Sequence, residues 1–126
     1  KFKLILETTN VSQNMNVQQA GFTAEFQSRT EQNYQTGGST STAPQSSGTS
    51  AKTVTFGTPF FVGTSSLGGA NAFLPTVGIT IQNAQSGDFF TVTNVSGTGF
   101  TISIKNGSSF VDRSFTFSAV GYGKGV

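Results

Sequence analysis

The chain has 126 residues, enough for one domain with a core of its own. It contains no cysteine and no histidine, which excludes a disulfide framework, a thiolate or imidazole metal site, a thiol nucleophile and the commonest general base. Seven basic and five acidic residues leave a net charge of +2, and the basic ones are scattered, so nothing points to nucleic acid.

Solubility rests instead on Ser, Thr, Asn, Gln and Gly, and the apolar side is dominated by 13 Phe, with two Tyr and no Trp. No apolar run approaches the about 18 residues of a membrane span, so no membrane insertion is expected. The chain opens on Lys1 with no visible leader, which reads as a piece of a longer polypeptide whose targeting signal lies elsewhere.

In chain order, residues 1–7 (KFKLILE) alternate with Phe2, Leu4 and Leu6 on one face, the period of a strand. Asn10 is placed to cap a short helix over residues 11–20, with Val11, Met15 and Gln18 sharing a side. Residues 21–28 (GFTAEFQS) read as a strand presenting Phe22, Ala24 and Phe26. Residues 37–50 (GGSTSTAPQSSGTS) hold no large apolar side chain, and so read as a linker or long exposed loop, or as a loop that orders against a receptor.

From residue 53 onward the signal is β throughout. Strands are expected over residues 53–56, 60–62, 76–82, 89–95, 100–104 and 111–119, with turns at 57–59, 85–88 and 106–109 and a Gly/Ser-rich stretch at 63–71. Alternation turns Val77, Ile79, Ile81, Phe100, Ile102, Ile104, Phe115, Phe117 and Ala119 inward, and Thr101, Ser103 and Lys105 outward. Six short strands without a helix signal from residue 53 on give an all-β fold, an antiparallel sandwich or barrel, preceded by a short strand/helix extension. The organisation expected is an extension over residues 1–36, a Gly/Ser/Thr-rich loop or linker over 37–52 and the sandwich over 53–126.

Catalytic patterns are missing. The glycines at 121, 123 and 125 lack the Walker spacing and a following helix, and read as a flexible or edge-packed terminus. The carboxylates Glu7, Glu25, Glu31, Asp88 and Asp112 do not form a recognisable pair; Asp88 is expected in a turn and Asp112 against Arg113 or solvent. The sequons at Asn10, Asn94 and Asn106 occur at about the chance rate in a chain this rich in Ser and Thr, and carry no glycosylation meaning. No enzyme activity, metal or cofactor is expected.

The adjacent aromatics Phe60-Phe61 and Phe89-Phe90 must point to opposite faces of a regular strand. Either a bulge or packed loop covers the second ring, or a neighbouring subunit does. The surplus of Phe favours burial in an oligomer, with Phe61, Phe89 and Phe110 as the candidate inter-subunit residues.

Val54-Thr-Phe56, Pro75-Thr-Val-Gly-Ile-Thr-Ile81, Asn94-Val-Ser-Gly-Thr-Gly-Phe100 and Phe117-Ser-Ala-Val-Gly121 together resemble the pattern of the H-type lectin domain. The ending from Val111 to Gly125 (VDRSFTFSAVGYGKG) is similar to the C-terminal ends of tail-tip, host-specificity and central tail-fibre proteins of long-tailed bacteriophages. The resemblance implies a six-stranded antiparallel β-sandwich that forms a homotrimer at the distal end of a phage tail, in the virion, and binds a polysaccharide or outer-membrane protein receptor on the bacterial surface. Lectin members hold sugars between protomers, often through His and aromatic residues; without His or Trp that sugar site does not carry over. Receptor contact is expected instead from the loops over residues 34–50 and 64–73, through Tyr34, Gln35, Thr36, Thr64, Ser65, Ser66, Leu67, Asn71 and Phe73. Two other roles fit the same residues: a purely structural trimerisation or capping domain, and a free carbohydrate-binding lectin.

Overall fold

The computed structural model describes residues 26–32, 34–35, 39–40, 44–66 and 68–123. The expected strand over 1–7, the helix over 11–20, most of the strand over 21–28, and the chain end over 124–126 lie outside them. Among the described residues every regular element is a strand: β1 (Ser28–Gln32), β2 (Tyr34–Gln35), β3 (Ser39–Thr40), β4 (Gln45–Ser46), β5 (Lys52–Thr55), β6 (Thr76–Ile81), β7 (Asp88–Thr93), β8 (Gly99–Asn106), β9 (Ser109–Phe110) and β10 (Ser114–Tyr122).

Two antiparallel sheets carry the fold, an arrangement consistent with a β-sandwich. In the first, β10 is the central strand, with β6 along one edge and β4 and β1 sharing the other. In the second, β8 is central, with β7 on one edge and β5 followed by β9 on the other. A separate two-stranded ribbon, β2–β3, has β2 running beside β5.

The six expected strands do not map one for one. The segment 60–62 is not a strand, because its backbone changes partner at every step. Phe60 N–H donates to Gly97 O (2.8 Å), Phe61 N–H to Tyr122 O (2.7 Å), and Val62 O accepts from Phe73 N–H (3.1 Å). The last strand starts at Ser114, after a link in which Val111 N–H still bonds Ile104 O (3.0 Å). The Gly/Ser/Thr-rich segment 37–52 is docked at its end. There β4 pairs with the start of β10, Ser47 and Gln45 are buried, and Ser47 N–H donates to Arg113 O (2.8 Å).

The core follows the expected alternation. Phe100, Ile102 and Ile104 of β8 face Phe115, Phe117 and Ala119 of β10, and Val54, Phe56 and Phe60 complete the buried set. Edge-to-face contacts fix the rings: Phe56 meets Phe60 at 5.0 Å between centroids, and Phe100 meets Phe117 at 5.2 Å. Gly99 lets β5 and β8 approach at this point, since a Cβ there would lie 2.1 Å from Val54 O.

The two edges on one side of this core are β6 and β7, joined by residues 82–87; on the other side lie β1 and β4 with β5, where β4 and β5 are joined by residues 47–51. The second side is closed. The first is half open, with Val77, Ile79, Ile81 and Val92 only partly buried although all four face inward.

Candidate binding surfaces

Four aromatic rings from distant parts of the chain meet on the outer face of the first sheet, at the end of β10. Phe26, just before β1, stacks on Phe61 with centroids 4.2 Å apart and planes within 6°. Phe61 packs against Phe73 (6.2 Å), and Phe73 meets Tyr122 edge to face (6.1 Å). Together they line an open groove of about 220 Å³. Phe26, Phe73 and Tyr122 remain well exposed, and Leu74 and Val120 extend the apolar surface.

Local chemistry sets this arrangement. Tyr122 is in phase with the outward residues of β10, Ser114, Thr116, Ser118 and Val120, and the Phe61–Tyr122 bridge puts the two rings side by side. The loop 63–73 folds back on itself through Gly69 N–H to Thr64 O (2.9 Å) and a bridge between Thr64 and Gly68. Gly68 has φ +78, and a Cβ there would sit 2.3 Å from the Phe73 ring, so the ring rests directly on the glycine backbone. Asn71 takes the left-handed conformation (φ 59) that turns the chain back towards Phe73.

Beneath the groove lies a buried ion pair. Arg29 and Glu31 both point inward from the edge strand β1 and pair with each other. The Glu31 carboxylate also accepts the N–H groups of Gly57 and Thr58 (both 2.9 Å), and Arg29 donates to Thr58 O. The guanidinium lies 4.0 Å from the centroid of the Phe60 ring. This network ties β1 to the turn that delivers Phe60 inward and Phe61 outward.

A second aromatic surface lies on the outer face of the other sheet, near the start of β7. The register puts Phe89 and Phe110 on either side of Lys105, and the Lys105 ammonium sits 4.7 Å from the Phe110 centroid. Both rings are exposed.

Of the expected contact residues, the structure therefore joins Phe73 with Phe61, and Phe89 with Phe110, as two separate surfaces. Thr64, Ser65, Ser66 and Asn71 are exposed on the loop beside the first. Tyr34 and Gln35 lie in the ribbon beside β5, away from that loop in the chain's path; Thr36 and Leu67 fall outside the described residues. Phe26, Tyr122 and Phe90 were not expected at any site. Tyr122 was readable from the phase of the last strand, whereas Phe26 depends on a contact 35 residues along the chain, from position 26 to position 61.

The described carboxylates are held in structural roles. Asp88 pairs with Arg113 (2.5 Å), accepts Asn106 Nδ2 (2.9 Å) and caps its own turn through Gln85 N–H (2.7 Å). Arg113, then Asn106 and the Gln85 N–H, hold its carboxyl well below the usual carboxylate range, and the same contact raises Arg113. Arg113 thus gives its ion pair to Asp88, while its neighbour Asp112 receives a bond from Arg113 Nη1 at the backbone carbonyl (3.0 Å) and not at the carboxylate. Asp112 accepts the Ser46 hydroxyl (2.7 Å) and Gly48 N–H (3.0 Å), which lower its pKa in that order. Among the described residues no cluster of carboxylates has the make-up of a metal site, and no helix is long and apolar enough to cross a membrane.

Comparison of the chain with protein-family models, curated proteins and solved structures returned no match.

Proposed function

We propose that the chain is a non-enzymatic adhesion domain at the distal tip of a bacteriophage tail fibre, an H-type-lectin-like sandwich that works as a homotrimer and recognises the bacterial surface. The observation that supports this reading is the groove of Phe26, Phe61, Phe73 and Tyr122, left open beside the loop 63–73 at the end of β10. Its rings offer apolar faces and one phenol hydroxyl, the chemistry that accepts a flat apolar ligand surface with a polar rim. Three copies on one fibre multiply a weak contact through avidity. The likeness of the ending from Val111 to Gly125 to phage tail-tip proteins supplies the setting.

A purely structural role has its own support in the exposed Phe89 and Phe110, which suit contact with another part of a fibre. The two roles separate in a cell-binding measurement. The purified chain is expected to bind host cells and to compete with phage adsorption, and Phe73→Ala with Tyr122→Ala is expected to weaken binding about tenfold or more with folding unchanged. A well-folded wild-type chain that neither binds nor competes supports the capping role and overturns the adhesion reading. Binding that the double variant leaves intact moves the contact off the groove.

A further inference from the structure

Phe90 is the residue most at odds with its position. Its cross-strand partner is Ile104, which is 1% exposed in the core, so both side chains point to the same inner face. Yet Phe90 is 43% exposed. Across the same gap, Val77, Ile79 and Ile81 on β6 are opposite Ala119, Phe117 and Phe115, all buried, and are themselves only half covered. The core is complete on the β5 side and stops short on the β6–β7 side.

The backbone stops short there too. Among the described residues β6 pairs only with β10, and β7 only with β8, so the outer edges of these two strands, flanking one apolar gap, have no strand partner among those residues. Monomeric sheets protect such edges with inward charges, lysines, prolines or bulges. The other side of this fold has those devices: Arg29 and Glu31 turned inward on β1, and Lys52 on β5. Strands β6 (TVGITI) and β7 (DFFTVT) have no Lys, no Pro and an unbroken register, and their one inward charge, Asp88 at the first position of β7, is taken up by Arg113 at the end of the strand.

Charge narrows the choice of partner. Between Lys52 and Lys105 the sequence contains one ionisable residue, Asp88, and Arg113 neutralises it. The open side therefore offers a charged partner nothing to pair with, and it lets two copies of a net positive chain meet without like-charge repulsion. A free strand edge needs another strand edge, and an unfinished apolar layer needs another of the same kind; a second copy of this chain supplies both.

We infer that the open side is the contact between copies of this chain: the β7 edge of one copy lies against the β6 edge of the next, and Phe90 is buried in the shared layer. In a three-fold assembly the open sides face the axis, each copy giving its β7 to one neighbour and its β6 to the other. The inference deepens the homotrimer reading above and relocates its contact, from Phe61, Phe89 and Phe110 on the outer faces to Phe90, Ile79 and Ile81 at the open side.

Phe89 and Phe90 provide a matched pair, the same side chain on opposite faces of one strand. Sedimentation of the wild-type chain at micromolar concentration is expected to show an assembly. Phe90→Gln is expected to raise its dissociation constant by about 30-fold or more, and Phe89→Gln to change it less than about threefold. In the wild type, hydrogen exchange at the β6 and β7 amides that face away from β10 and β8 is expected to slow as the chain assembles. This second measurement holds even where Phe90→Gln does not fold. A monomeric wild type, equal effects of the two variants, a larger effect of Phe89→Gln, or edge amides that exchange alike in monomer and assembly would overturn the inference. Cell binding, measured on the same samples, separates this from the adhesion reading: a monomer that still binds cells removes the interface and leaves the adhesion role standing.

Discussion

The two sides of the sandwich are built from the same material and end in different states. On the closed side, Val54 of β5 and Phe56 just after the strand are 2% and 4% exposed, and Glu31 of β1 is 4% exposed under a double N–H cap. On the open side, Phe90 is 43% exposed although it faces the same core. The difference is one of coverage. The short link from β4 to β5, the β2–β3 ribbon beside β5 and the Glu31 contacts to the 57–58 turn all lie on the closed side, whereas on the open side β6 and β7 are joined by the connection 82–87. Alternation decides which way a side chain points; what packs beside its strand decides whether it is dry.

That contrast can be tested by substitution. The largest effect is expected for Phe115→Ala, at the fully buried centre of β10, which should cost about 3–5 kcal/mol in denaturant unfolding. The matched Phe90→Ala should cost about 1 kcal/mol or less within a single copy. Equal losses would mean that the open side is closed in the folded monomer.

A smaller, again paired, effect is expected at two glycines. Gly99→Ala drives a Cβ to 2.1 Å from Val54 O, on the closed side where β5 and β8 cannot separate without losing the core, and should cost about 1–3 kcal/mol. Gly78→Ala, on the outer face of the open edge β6, meets nothing nearer than Ser118 O at 3.8 Å and should change stability by no more than about 0.5 kcal/mol. Thermal unfolding of the two variants would check the pair.

The third prediction concerns the Asp88–Arg113 contact, which pins the start of β7 to the start of β10. The folded-state pKa of Asp88 lies well below its unfolded value near 3.9, so its contribution is present above about pH 4 and is lost as pH falls through the folded value. Wild-type stability should therefore decline on acidification from about pH 4 downward, and Asp88→Asn should show a shallower decline from a lower starting point. An acid profile unchanged by Asp88→Asn would mean that other carboxylates carry the dependence.

Much of this was readable from the residues. The strand phases of β6, β8 and β10 follow directly from TVGITI, FTISI and FTFSA, since period-two alternation is a property of each strand alone. The turn at Asp88 was readable as well, because Ser-Gly-Asp favours a left-handed glycine and a side-chain cap, and Gly87 has φ +85. The partner of Arg113 was not readable, because Asp88 lies 25 residues away and reaches it only when β7 and β10 meet at one end of the sandwich. Nor was the docking of the Gly/Ser/Thr-rich segment. Its small polar side chains bury little, and its place depends on bonds to Arg113 and Val111 from across the fold.

By itself the sequence determined the class of the fold, the inward set of each strand and the absence of cysteine and histidine chemistry, because composition and alternation are local. Tertiary structure decided which aromatics meet. Phe61 joins Phe73, Tyr122 and Phe26, Phe89 joins Phe110 across Lys105, and Phe90 stands at an unfinished edge. Those outcomes depend on register and on which strands cover which edge, and both are fixed only when distant segments pair.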